Sequence, residues 1–151
     1  MRLKREASFH VISKEFCKTV ARRFRKAANR ADCGPRADPH WPHRTVGAAV
    51  YSHCDETGRC LYVGECSSSL AARAKLQTAR WDGLPTWNRT RKVMWIGGLS
   101  KAGAQWLEHI LIVHHDPPGN RERGGRQAPR PGAVDSVGWK ALDRELGRFE
   151  W

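Results

Sequence analysis

Apolar positions along the chain follow two rhythms. Across residues 13–31, Phe16, Val20, Phe24 and Ala27 recur at helical spacing. Arg22, Arg23, Arg25, Lys26 and Arg30 cover much of the remaining circumference, which predicts a helix with one face on a core and a basic face outward. Asp32-Cys33-Gly34-Pro35 stops that pattern, and Pro39 and Pro42 keep the following stretch extended. Residues 46–53 and 60–64 then read as two strands, and Asp55-Glu56-Thr57-Gly58 between them is turn chemistry, so a hairpin is predicted. Ser67, Ser68 and Ser69 offer caps for a helix over residues 70–79. Residues 81–91, with Gly83 and Pro85, read as an irregular connection, and residues 92–97 as a third strand closed by Gly97-Gly98. Ser100 is placed to cap a helix from Lys101 to about His114, which Pro117-Pro118 ends. Residues 121–135 are rich in Gly, Pro and Arg and read as a loop. Leu142, Leu146 and Phe149 predict a short closing helix over residues 139–151.

The order of the central elements is β-β-α-β-α. The expected fold class is therefore α+β, a small domain with a three-stranded, mainly antiparallel sheet flanked by helices. The expected division is a basic helical extension and linker (1–44), a core (45–121), and a Gly/Pro/Arg-rich loop with a closing helix (122–151).

Composition narrows the partner. The 151 residues hold 27 Lys and Arg against 15 Asp and Glu, a formal charge of +12. The first 44 residues alone carry twelve basic and four acidic residues. Such an excess favours a polyanion, most simply nucleic acid, because each neutralised phosphate releases a condensed counterion. No apolar run approaches the roughly 20 residues that span a bilayer, so no membrane partner is expected. The basic N-terminus lacks the apolar segment and cleavage site of a signal peptide. Five cysteines, an odd count, fit a reduced, cytoplasmic setting. Cys54, Cys60 and Cys66 cluster around the hairpin, with Cys33, His40 and His43 before it, yet no spacing is that of a paired zinc knuckle. Small buried thiols are the expected reading.

Tyr51 and Tyr62 fall on the two strands of one hairpin, so both hydroxyls can reach a common surface. Strand tyrosines are ordinarily packing residues. Arg73 sits one turn into the following helix, where a lone arginine is usually a solvated charge. Glu108 has Ala104, Leu111 and Ile112 as helical neighbours; a carboxylate on so apolar a face needs a compensating partner, a salt bridge or a divalent cation. Asn120 follows Pro117-Pro118-Gly119 and is either a turn residue or a polar prop. Trp87 with Arg80, Arg89 and Arg91, together with Lys75 and the basic helix, forms a candidate nucleic-acid surface.

Taken in order, Ala49-Val50-Tyr51, Tyr62-Val63-Gly64, Leu70-x-x-Arg73, Glu108 and Asn120 resemble the GIY-YIG nuclease family over residues 47–121. The first motif is degenerate here, AVY in place of GIY. The resemblance implies a metal-dependent DNA endonuclease. Tyr51 would be the general base or orient the attacking water, Tyr62 would position phosphate or nucleophile, and Arg73 would stabilise charge on the phosphorane oxygens. Glu108 would hold one Mg²⁺ or Mn²⁺, and Asn120 would brace the site. Many members place a lysine, or another polar residue, three positions after the second tyrosine; this chain has Glu65, and Lys75 or His53 are the substitutes at hand. Two rivals stand beside this expectation: a nucleic-acid-binding module of the same fold with little or no activity, and a basic RNA-binding protein with no metal dependence.

Overall fold

A computed structural model describes residues 14–32, 47–66 and 88–122. Its elements in chain order are α1 (Lys14–Ala27), β1 (Asn29–Asp32), β2 (Ala48–Cys54), β3 (Cys60–Cys66), β4 (Lys92–Leu99), α2 (Lys101–His115) and the short α3 (Pro118–Glu122). The class is α+β, and the sheet has four antiparallel strands in the order β1-β4-β2-β3.

The fourth strand corrects the three-stranded expectation. The N-terminal helix does not run to residue 31. Its last bond joins the Ala28 N–H to the Phe24 carbonyl at 2.8 Å, and Asn29–Asp32 then extend along β4, Asn29 opposite Trp95 and Asp32 opposite Lys92. Beyond Ala28 no large side chain continues the apolar stripe, and Asn-Arg-Ala-Asp has nothing to bury as a helix. Its polar residues instead make a mostly exposed edge strand, the kind of edge that resists pairing with other chains.

Helix α1 buries Cys17, Val20, Ala21 and Phe24, so its core stripe includes Val20 and Phe24 as expected and is completed by Cys17 and Ala21. Phe16 packs at the margin, and Ala27 is exposed. These residues join Trp106, Leu107, Ile110 and Leu111 of α2 and Val50, Val63, Met94 and Ile96 of the sheet in one cluster. Both long helices thus cover the same sheet face, and the basic helix is part of the core.

The hairpin turn forms as its residues suggest. The Asp55 carboxylate accepts from the Thr57 N–H at 2.9 Å, the Thr57 hydroxyl at 2.6 Å and the Arg59 N–H at 3.0 Å. These bonds hold its carboxyl below the usual range, the Thr57 hydroxyl contributing most. Gly58 completes the turn at φ 87°, a conformation that favours glycine. The register shifts between His53 and Cys54, which pair with Tyr62 and Cys60, and Leu61 is the extra residue of a bulge. Helix α2 begins at Ser100, whose hydroxyl accepts from the Gly103 N–H at 3.1 Å. It ends at Asp116, left-handed at φ 44°, whose N–H reaches the Ile112 carbonyl at 2.8 Å. The helices expected over residues 70–79 and 139–151 lie outside the described residues. Among the described residues, no helix is long and apolar enough to cross a membrane.

Candidate active site

Strand β2 is central, and all seven of its residues are buried. Alternation sends Val50, Ser52 and Cys54 toward α1 and α2. Tyr51 and His53 turn to the opposite face, where β3 contributes Tyr62 and Gly64 as their cross-strand partners. Three rings meet there. Tyr51 and Tyr62 lie 6.1 Å apart between centroids, Tyr51 and His53 5.6 Å, and His53 meets Tyr62 edge-on at 5.5 Å. The hairpin therefore brings the two tyrosines together, as expected. His53 was expected only as a stand-in for a missing lysine. Its i+2 spacing from Tyr51 on a strand was the signal that it belongs to the same cluster.

Strand β3, expected to end at Gly64, continues to Cys66, so Gly64 lies inside it. A Cβ on Gly64 would lie 2.5 Å from Cζ of Tyr51, and closer still to its hydroxyl, as well as 2.9 Å from Cε1 of Tyr62. The missing side chain is the space into which the Tyr51 ring folds. All three rings are deeply buried: Tyr51 is 0% exposed, His53 1% and Tyr62 7%.

Asn120, on α3, is a brace. Its carboxamide oxygen accepts from the Val63 N–H at 3.0 Å, and its amide nitrogen donates to the Val63 carbonyl at 2.9 Å. Strand β3 is the sheet edge, and Val63 faces away from β2 through these two groups. The side chain of Asn120 thus supplies what the peptide group of a further strand would supply. It fixes the residue next to Tyr62. The turn that places it is set locally, the Asn120 N–H donating to the Pro117 carbonyl at 3.2 Å.

Glu108 lies half-buried on α2, at the flank of the stripe formed by Ala104, Leu107 and Leu111. That helix packs the sheet face opposite the tyrosines, so any site shared by Glu108 and the tyrosines must be assembled around the sheet edge. Glu65 is also half-buried on β3, alternating to the α2 side. Among the described residues, no group of three or more His, Cys, Asp and Glu side chains could hold a metal ion. A single half-buried carboxylate remains compatible with Mg²⁺, which keeps several waters and draws on substrate phosphate.

Arg73, Lys75, Arg80 and Trp87 lie outside the described residues. Arg22, Arg25, Lys26 and Arg89 are exposed, whereas Arg23 and Arg91 are half-buried. Arg91 spends its guanidinium on the Asn88 and Thr90 carbonyls at 2.7 and 3.0 Å, so it works as a local clamp as well as a surface charge. Trp106 is fully buried and Trp95 half-buried.

Comparison with protein-family models gives no match, and comparisons with curated proteins and with solved structures likewise give none.

Proposed function

We propose that the protein is a metal-dependent DNA endonuclease that hydrolyses phosphodiester bonds in the manner of the GIY-YIG family. The observation that carries this reading is the grouping of Tyr51 and Tyr62 on one sheet face, with Asn120 bonded to Val63 beside them. Two tyrosines of one hairpin and an asparagine far along the chain, all named by one motif pattern, meet at β3 and its partner strand. The basic charge of the chain supplies the complementary attraction to DNA.

In this reading Tyr51 accepts the proton of the attacking water or orients it. A phenol with an ordinary pKa near 10 is a weak base at neutral pH, so cationic surroundings must favour its phenolate. Tyr62 positions the scissile phosphate or the nucleophile, and Asn120 keeps that strand from shifting. Arg73 stabilises the charge that grows on the phosphorane oxygens through its fixed fork of donors. Glu108 would hold one Mg²⁺ or Mn²⁺, which supplies Lewis-acid stabilisation of the departing 3′ oxygen. With one protein carboxylate, metal affinity is expected to be weak in the absence of DNA. Restriction, homing, defence and toxin roles are all consistent with this chemistry.

A second reading has its own observation. Tyr51 is wholly buried, as a packing residue would be, and water must reach it before it can act as a base. That favours a nucleic-acid-binding module of the same architecture with little or no activity. Cleavage of supercoiled plasmid and of labelled single-stranded DNA with Mg²⁺, with Mn²⁺ and with EDTA separates the two. The nuclease reading expects metal-dependent nicking that drops by about two orders of magnitude or more in Glu108→Ala while DNA binding persists. Tight, salt-sensitive binding with no cleavage under either metal would replace it with the binding module.

A further inference from the structure

On the sheet face away from the tyrosines, a cavity of about 270 Å³ opens between α1, the hairpin end and the C-terminus of α2. Phe24, Met94, Cys54 and Cys60 form its apolar floor, and Lys18, Arg22 and Arg25 stand at its rim. The two cysteines are direct cross-strand partners. Opposed residues of antiparallel strands have Cα atoms about 4.5–5.5 Å apart, within the range of about 4.4–6.8 Å that a disulfide spans. Both are free thiols.

The two thiols differ in kind. The Cys60 thiol, which donates to the Tyr62 carbonyl at 3.7 Å, lies within hydrogen-bonding reach of Cys54, and the Ser52 hydroxyl lies 3.8 Å from the Cys54 sulfur. Together with Arg25 they bring the Cys54 thiol down to about 7 against the opposing effects of burial and Asp55. Cys60 is raised, first by its bond to Cys54 and then by burial, and burial also raises Cys17. The remaining charged and titratable groups around Cys54 are Lys18 and Arg22 on α1, His114 and His115 on α2, and Lys92, its partner on β4. Desolvation, then His114 and Arg25, push the His115 imidazole down although its surface is exposed, and Lys18, Arg22 and Arg25 supply positive charge at the rim.

We propose that this cavity is a thiol–disulfide exchange site, with Cys54 as the attacking thiolate and Cys60 as the resolving thiol, and that its substrate class is a small disulfide bearing carboxylates. The Cys54 thiolate attacks one sulfur of the small disulfide; that S–S bond breaks, and one small thiolate leaves. Cys60 gives its proton to the departing thiolate and attacks the Cys54 sulfur, and the second small thiolate leaves. Two protein thiols become one disulfide, and one small disulfide becomes two small thiols. The cavity accommodates more than a diatomic oxidant, and the cations at its rim select for negative charge. The site shares no side chain with the tyrosine cluster.

The test treats the native protein with oxidised glutathione and, in parallel, with neutral 2-hydroxyethyl disulfide, each rate corrected by that of a free model thiol. The expected product is the Cys54–Cys60 disulfide, located by peptide mass spectrometry after acid quench. The anionic reagent should be favoured by about tenfold or more, and Arg25→Gln should reduce that preference. The rate should rise with pH to a midpoint near 7, and Cys60→Ser should trap one glutathionyl group on Cys54. The proposal is overturned by earlier modification of Cys17, Cys33 or Cys66, by equal corrected rates for the two reagents, or by reaction only once the chain is unfolded. The charge comparison uses wild type alone, so it stands even where a cysteine variant fails to fold.

Discussion

The two faces of the central hairpin are both buried and are built on different chemistry. Toward α1 and α2, β2 and β3 present Val50 and Val63, which meet Ile110, Leu111 and Phe24 in a cluster held by apolar area. On the other face the same strands present Tyr51, His53 and Tyr62, whose rings meet at about 6 Å over a glycine. The first face is a packing solution open to many apolar residues of the right volume. The second carries hydroxyl and imidazole groups that each require a partner when buried, a costlier way to fill space. The proposed nuclease role draws on the second face, and the packing role that strand tyrosines ordinarily have is its rival.

The contrast can be broken most severely at Trp106, which is fully buried among the helices. Trp106→Ala is expected to cost about 3–5 kcal/mol, read as a drop in the denaturant midpoint, with loss of the whole fold. A loss confined to one face would mean that the faces are not one cooperative unit. Next is Gly64→Ala. The new methyl collides with the Tyr51 ring, and the expected cost is about 1–3 kcal/mol, accompanied by a changed Tyr51 environment in aromatic NMR spectra. An unchanged spectrum would show that the ring does not rest on Gly64. Smaller again is Asn120→Ala. It removes two bonds to Val63, each contributing about 0.5–1.5 kcal/mol, and hydrogen exchange at the Val63 amide should accelerate while amides of α1 stay protected. Uniform acceleration would make Asn120 a general stabiliser and remove it as a brace of the tyrosine strand.

Much of this arrangement was legible in the chain. The hairpin announced itself through Asp55-Glu56-Thr57-Gly58 between two β-rich runs, and α2 through Ser100 and Pro117-Pro118. Asn120 was read as turn residue or prop, and the structure makes it a prop with a defined partner. Strand β1 was illegible because Arg30 and Ala31 continue a helical pattern until the loss of large apolar side chains is weighed. Gly64 was misread because a mid-strand glycine facing an aromatic ring and a glycine at a strand end look alike in one dimension. The deep burial of Tyr51 depends on contacts across the sheet face that no local spacing encodes. So does the pairing of Cys54 with Cys60, which a bulge at Leu61 brings into register; without that extra residue the two would fall on opposite faces.

The most direct test of the nuclease proposal removes one oxygen atom. Tyr51→Phe keeps the ring over Gly64, so its stability should lie within about 1.5 kcal/mol of wild type, the scale of one hydrogen bond. Single-turnover cleavage of a labelled DNA in Mg²⁺ should nonetheless fall by about a hundredfold or more with DNA affinity unchanged. Cleavage at the wild-type rate in Tyr51→Phe would contradict the account and leave the buried tyrosines as packing alone.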